Sequence, residues 1–397
     1  MSKKLWRVGD LELSYVKEAI ENGLTGSYTK KFEVRFAEKF ESNYAISVNS
    51  GTSALHAAIL ALGVGPGDEV IVPPLTFIAT SYAVLYAGAT PVFSDVDPDT
   101  FNIDANLIEA KITPRTKAII TVSLYGLAPE MDKIMDIAKR NNLKVLEDNA
   151  QCVLGRYNNQ LVGTFGDISI FSLQRSKHLT TGDGGVIITN DDYLAEKCRK
   201  FADLGYRTLT AKSITNEDIK DKIQQPDYKR HELIGFNFRL PEVCAAMGLA
   251  QLDKIDSLVQ KRIDIAKLYL EVLEGCEWLN PQVVSSNVHH AYWAFTLKLD
   301  SEICNISWTK FRDCFIKNGG KSFYGSWSVS YLEPSLLGLK FPDNNLEYEK
   351  GLCPVAESIQ PSLIQLKTNF ETMETVSYTH LRAHETPEHL VCRLLLE

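Results

Sequence analysis

From residue 44 onward, short runs of β-branched and aliphatic residues alternate with longer segments whose apolar positions recur every three or four residues. That alternation predicts an α/β fold, a mostly parallel sheet covered by crossover helices. The runs 45–48, 69–72, 90–93, 118–122 and 144–147 read as strands, and 167–173 and 185–189 as two more. Between them, 53–62, 77–87 and 130–140 carry helical spacing. Gly65-Pro66-Gly67-Asp68 is a turn, and Pro73-Pro74 closes a strand. The stretch 207–232 is polar with few apolar anchors and predicts a mobile surface segment. After it, 241–273 predicts one long helical stretch leading from a large domain, 1–255, into a smaller C-terminal α+β domain, 256–376.

Composition adds exclusions. With 397 residues and 45% hydrophobic content, the chain can bury a substantial core. Its net charge of -8 is spread along the chain, with no basic stripe to neutralise phosphodiester backbones, so nucleic acid is not an expected partner. The opening Met-Ser-Lys-Lys-Leu-Trp-Arg has no apolar region behind its charges, and no run is long enough to span a bilayer. A cytoplasmic protein without membrane association is expected. The eight cysteines are scattered and form no CxxC pair, which argues against a disulfide framework or a zinc site. The segment 377–397 carries His380, His384 and His389 without the carboxylate or cysteine pattern of a metal site. It resembles a translated vector or adaptor read and is expected to be a non-native scar replacing the natural C-terminus.

Three segments carry candidate chemistry. In Asn49-Ser50-Gly51-Thr52-Ser53-Ala54-Leu55 a strand end meets a helix start, where backbone N–H groups and the Thr52 and Ser53 hydroxyls make a phosphate cradle or a plain N-cap. In Val145-Leu146-Glu147-Asp148-Asn149-Ala150-Gln151 a strand ends in two carboxylates. Ligand groups gather at such carboxyl ends, so Asp148 is placed to face a cofactor, or else caps the next turn. In Phe171-Ser172-Leu173-Gln174-Arg175-Ser176-Lys177-His178-Leu179-Thr180-Thr181-Gly182-Asp183-Gly184-Gly185 a lysine just past a strand precedes a glycine-rich turn. Lysine forms an imine with an aldehyde once its pKa is low enough to leave free amine.

The ordered set GTSAL, LEDNAQ, FSLQRSKHLTTGDGG and GFNFRLPEVCAAMGLAQLDKID resembles the DegT/StrS-type sugar aminotransferases, which share the type I fold of pyridoxal 5′-phosphate (PLP) enzymes. The resemblance runs from about residue 11 to about residue 370 and makes 1–255 the PLP-binding domain. It implies that Lys177 holds the cofactor as a Schiff base and that Asp148 pairs with the pyridine nitrogen. It further implies Gln151 near the phenolic oxygen, Gly51, Thr52, Ser53 and Ser172 at the phosphate, and Phe77 against the ring. Asn237 matches a residue that reaches the neighbouring subunit's cofactor phosphate, which implies a homodimer with shared sites. Tyr28 and Tyr324 lie in segments where relatives contact sugar or nucleotide, and Arg239, in the same motif as Asn237, is a candidate for the substrate or the subunit interface. Arg239 reads equally as an ion-pair partner, and Tyr324 and Trp327 equally as core. His289, His290 and Trp293 read as packing.

The implied reaction is ping-pong transfer of an amino group from an amino acid, L-glutamate by resemblance, to a nucleotide-linked keto sugar. Two alternatives stay open: a PLP-dependent sugar dehydratase, in which histidine replaces the lysine, and a catalytically silent sensor of the same fold. Counting back from Gly184-Gly185 puts Lys177, not His178, at the Schiff-base position. Leu366-Lys367-Thr368 departs from the Leu-Pro of many relatives.

Overall fold

The computed structural model describes residues 6–212, 223–317, 320–341 and 346–371. The expected scar over 377–397 and the centre of the polar stretch 207–232 lie outside the described residues. The first nine strands are β1 (Tyr44–Val48), β2 (Glu69–Val72), β3 (Thr90–Phe93), β4 (Thr116–Val122), β5 (Lys144–Asp148), β6 (Arg156–Tyr157), β7 (Gln160–Leu161), β8 (Ile168–Ser172) and β9 (Gly185–Thr189). Seven of them form one sheet in the order β1-β9-β8-β5-β4-β2-β3. The neighbours from β3 through β8 pair in parallel, and β9 runs against both of its neighbours. Strands β2, β8 and β9 are buried along their whole length, because helices cover both faces and leave no side for polar residues.

The helices that cover and frame this sheet are α1 (Asp10–Glu21), α2 (Ser27–Lys39), α3 (Gly51–Ala61), α4 (Ala79–Tyr86), α5 (Ala105–Ile108), α6 (Met131–Arg140) and α7 (Asp192–Ala202). Sequence dictates which are central. In α3, GTSALHAAILA is apolar nearly all round, and its residues from Ala54 to Ile59 are all buried. In α6, Met131, Ile134, Ile137 and Ala138 form the single buried stripe, while Asp136 and Arg140 pair on the solvent side. Phe32 and Phe36 on α2 and Phe40 at its C-cap recur every fourth residue; Phe36 and Phe40 pack on Phe171 of β8 and Phe32 meets Phe36 edge-on, each burial contributing roughly 2–3 kcal/mol.

The stretch 241–273 is not one helix. It divides into α8 (Glu242–Leu252) and α9 (Ile255–Val272), with Lys254 at φ -124° between them. No glycine or proline marks this break. Side chains of α1 and α2 hold it: Tyr15 and Arg35 bind the Asp253 carboxylate, and Lys254 pairs with buried Glu12. Beyond α9 the remaining strands are β10 (Leu279–Pro281), β11 (Val288–His289), β12 (Ala294–Leu299), β13 (Tyr324–Gly325), β14 (Lys340–Phe341), β15 (Leu346–Glu347) and β16 (Leu363–Lys367). Four make an antiparallel sheet in the order β10-β12-β16-β13, with its own core around Tyr269, Trp278, Phe295 and Phe311. Strand β11 instead pairs with β6 of the β6–β7 hairpin. Among the described residues no helix is long and apolar enough to cross a membrane.

Candidate active site

Strand β5 delivers two carboxylates to one end of the sheet, and the period-two alternation of a strand sends them to opposite faces. Glu147 is consumed structurally: its oxygens accept the backbone N–H groups of Gly163, Phe165 and Gly166 at 2.7–2.8 Å. Among the described residues, the Asp148 carboxylate accepts the Thr80 hydroxyl at 2.9 Å and the Ala150 N–H at 3.1 Å. Burial pushes its carboxyl pKa up, against those two hydrogen bonds and the Lys177 charge. A buried carboxylate with so little local compensation is suited to a cationic partner.

Lys177 follows β8 and is partly buried. Its Nζ lies 4.6 Å from the centre of the Trp293 ring. Burial lowers the amine's pKa to about 8; Asp148 opposes this shift and Arg262 adds to it. A fair share of neutral amine therefore exists at physiological pH, which nucleophilic chemistry requires. His178 faces the other way. It is buried, its Nε2 is 2.9 Å from the Ala291 carbonyl oxygen, and burial drives its pKa well below the ordinary value.

The start of α3 closes the third side. Ser50 is the N-cap, accepting the Ser53 N–H at 3.0 Å, while the Ser53 hydroxyl donates to Asn49 Oδ1 at 2.7 Å. The N–H groups of Gly51 and Thr52 have no acceptor one turn back in the helix and carry its positive dipole end. Ser172 presses against this turn so closely that a Cβ at Gly51 would sit 2.9 Å from the Ser172 Cβ. Gln151 is buried, and its Oε1 accepts the Tyr125 N–H at 2.8 Å.

An aromatic wall lines the same region. Trp293, Tyr125 and Trp327 stand nearly parallel with ring centres about 6 Å apart, and the half-exposed Phe77 meets Trp327 edge-on at 5.9 Å. Phe77 precedes α4, so the expected helix starts two residues late and leaves this ring free to face outward. Tyr125, at φ 60°, turns its ring into the stack. Its hydroxyl lies 2.9 Å from Ser326 Oγ and accepts from Gln365 Nε2 at 3.3 Å, joining the seven-stranded sheet to β13 and β16. At Gly126 the backbone passes so near Tyr292 that a Cβ would lie 2.7 Å from its nitrogen.

Three sequence-based substrate candidates fare differently. Tyr28 is 2% exposed, edge-on to Tyr15, and its N–H donates to Glu242 at 2.8 Å, so its ring is part of the core rather than on an open surface. Glu242 also takes the Thr29 N–H and hydroxyl, which fills the start of α2. Arg239 pairs with Asp203, the structural role that its sequence context allowed. Tyr324 is 69% exposed on β13, so it is not core. Asn237 is exposed, on a segment whose flanking Phe236 and Phe238 N–H groups bond the carbonyls of Phe201 and Ala202.

Trp293, Tyr125, Thr80 and two arginines are the residues that sequence reasoning missed. Trp293 reads as packing in the sequence, yet it underlies the amine and donates Nε1–H to the Ser176 carbonyl at 2.9 Å. Thr80 sits in the same Thr-Phe-Ile-Ala-Thr motif as Phe77, four residues after Thr76, and helical spacing from Thr76 was the available signal.

An amine of lowered pKa, a buried carboxylate and a helix N-terminus at the strand ends fit a phosphorylated aldehyde with a basic ring nitrogen. The sequence profile of the DegT/DnrJ/EryC1/StrS aminotransferase family matches residues 7–378. The chain belongs to that family. It is 40% identical over 289 residues to the GDP-perosamine synthase of Escherichia coli O157:H7, covering 72% of this chain and 74% of that protein. The aminotransferase of Psychrobacter cryohalolentis superposes with a TM-score of 0.81 at 32% identity, covering 95% of this chain and 98% of that one. DesV of S. venezuelae, solved with a ketimine intermediate, gives a TM-score of 0.80 at 30% identity over 94% and 95% of the two chains. The protein is a PLP-dependent sugar aminotransferase of fold type I.

The close approach at Gly51 makes a direct prediction. Gly51→Val should cost about 1–3 kcal/mol of stability by overpacking. It should also weaken retention of PLP. Denaturant melts and cofactor absorbance after gel filtration measure both, and an unchanged variant would mean that the turn is not tight.

Proposed function

We propose that Lys177 is the residue that binds PLP covalently and that the chain transfers the amino group of L-glutamate to a nucleotide-linked keto hexose. The observation that carries this reading is the pairing of a low-pKa Lys177 amine with the buried Asp148 carboxylate beside the Gly51–Thr52 helix start. PLP supplies an electron sink that stabilises negative charge on the carbon losing its proton. Asp148 would keep its ring nitrogen protonated, and Thr80 orients that carboxylate. Gly51, Thr52, Ser53 and Ser172 would hold its phosphate, Gln151 would serve the phenolic oxygen, and Phe77 would cover the ring.

With the donor bound, Lys177 Nζ would serve as the base. It removes the proton from the donor's α-carbon and, in the second half-reaction, delivers one to the sugar carbon that held the keto oxygen. Its position on the Trp293 face limits the directions from which it reaches either carbon. His178, neutral and turned to Ala291, takes no part. The presence of lysine at 177 favours transamination over the dehydratase alternative.

The E. coli relative's name supports GDP as the nucleotide. The exposed Asn237 supports a homodimer in which it reaches the second copy's phosphate site. A nucleotide-linked substrate also fits a cytoplasmic enzyme. The test is a panel of GDP-, UDP- and dTDP-linked keto hexoses incubated with L-glutamate and read by mass spectrometry. The expected product has an amino group in place of the keto oxygen, with a GDP sugar best. Ammonia release with sugar deoxygenation would replace the reading by dehydration, and no product from any acceptor would remove it.

A further inference from the structure

Two arginines grip the lysine turn from behind, and neither has a carboxylate partner among the described residues. Arg262, buried on α9, donates Nη2 to the carbonyls of Ser176 at 3.2 Å and Lys177 at 3.1 Å. Its Nη1 donates to the Trp293 carbonyl at 2.8 Å and to Thr368 Oγ1 at 3.1 Å. Thr368 in turn donates to the carbonyls of Tyr292 and Trp293. Arg7, equally buried, reaches the carbonyls of Arg175, Lys177 and His178. Both guanidiniums are held by neutral oxygens, which leaves their charge uncompensated, and the buried Arg7 Nε–H has no partner among the described residues.

This fork joins four parts of the molecule. Through one planar group, the turn that carries Lys177, the aromatic floor under its amine, the helix α9 and the residue just after β16 are fixed to each other. Arg fits this position because its rigid donors address two pairs of oxygens at once; a lysine, a single point charge, cannot. The charge matters as much as the shape, since an unneutralised cation in a poorly solvated site repels a second one. Burial costs Arg262 itself, whose pKa falls to about 9, with Arg7 adding to the fall. A structural role alone would be served better by an ion pair or an apolar side chain.

We infer that Arg262 is a positioning residue for Lys177: it fixes the amine over Trp293 and places an unpaired positive charge behind it that opposes the amine's protonation. The charged and titratable groups facing Lys177 are Asp148 on β5, which favours its protonation, Arg262 on α9, which opposes it, and the neutral His178 beside it. Arg7 and Arg175 add positive charge around the same turn. The inference rests on Lys177 as the reactive amine, but its test does not depend on that assignment.

The full 397-residue chain, with and without pyridoxamine 5′-phosphate, is labelled by trace acetic anhydride across a pH series. Acetylation at Lys177 is then followed by peptide mass spectrometry. The wild-type midpoint is expected near 8. Arg262→Gln should raise it by about one pH unit. Arg262→Met, which removes the same charge with apolar volume, should do the same and covers the case in which the Gln variant does not fold. Arg262→Lys should stay near the wild-type midpoint while its melting temperature falls, because charge is kept and the fork is lost. A folded Gln or Met variant with an unmoved midpoint overturns the inference. A wild-type midpoint at the ordinary lysine value overturns it without any variant. The covalent role of Lys177 fails separately, if Lys177→Ala still transaminates.

Discussion

Lys177→Ala is expected to lose transamination by about 10⁴-fold and to lose the imine absorbance of bound PLP, because the covalent anchor and the proton carrier are one amine. A spectrum and a single-turnover assay with L-glutamate measure both, and a wild-type rate would refute the assignment. A second consequence concerns stability. The amine's pKa is about 8 in the folded chain against an ordinary 10.5, so between these values the unfolded state binds more protons. Stability of the cofactor-free protein should therefore rise with pH across that window. Below it, the buried lysine costs about 3 kcal/mol. Lys177→Met should accordingly raise the melting temperature of the cofactor-free protein at pH 7, with the gain shrinking toward pH 10. A variant that melts lower at pH 7 would show that the site does not strain the lysine.

Asp148→Asn is expected to be the next most damaging change. It retains size and can still accept from Thr80 and Ala150, but it removes the negative charge that pairs with a protonated ring. A loss of about 10²- to 10³-fold in kcat is expected, with PLP still attached. Asp148 also holds the Lys177 pKa up, so the variant's amine should titrate below the wild-type midpoint. Stopped-flow kinetics and the labelling titration separate the two effects. Retained kcat with a shifted amine would confine Asp148 to electrostatic tuning of the lysine.

Much of this was legible in the chain. Strands β2, β3 and β9 fall where the apolar runs end, because β-branched residues bounded by turns leave little choice of limits. Lys177, Asp148 and the α3 start were also legible, each lying within a few residues of a strand end. The break at Asp253–Lys254 was not, since the contacts that make it come from residues more than 200 positions away. Tyr28 was expected at the substrate from the resemblance of its segment alone, and a match along the chain does not carry the burial of its ring.

By itself, then, the amino-acid sequence determined the sheet, its crossover helices, and the local turns that carry the lysine, the carboxylate and the amides at the start of α3. Those features depend on side-chain periodicity and backbone preference over ten or so residues, which a linear reading contains. Only the tertiary structure decided which neighbours tune them. Trp293 and Arg262 lie 116 and 85 positions beyond Lys177, yet one underlies its amine and the other holds its carbonyl. Burial and uncompensated charge lower that amine's pKa, and both are sums over everything nearby in space, which no segment of the chain encodes alone.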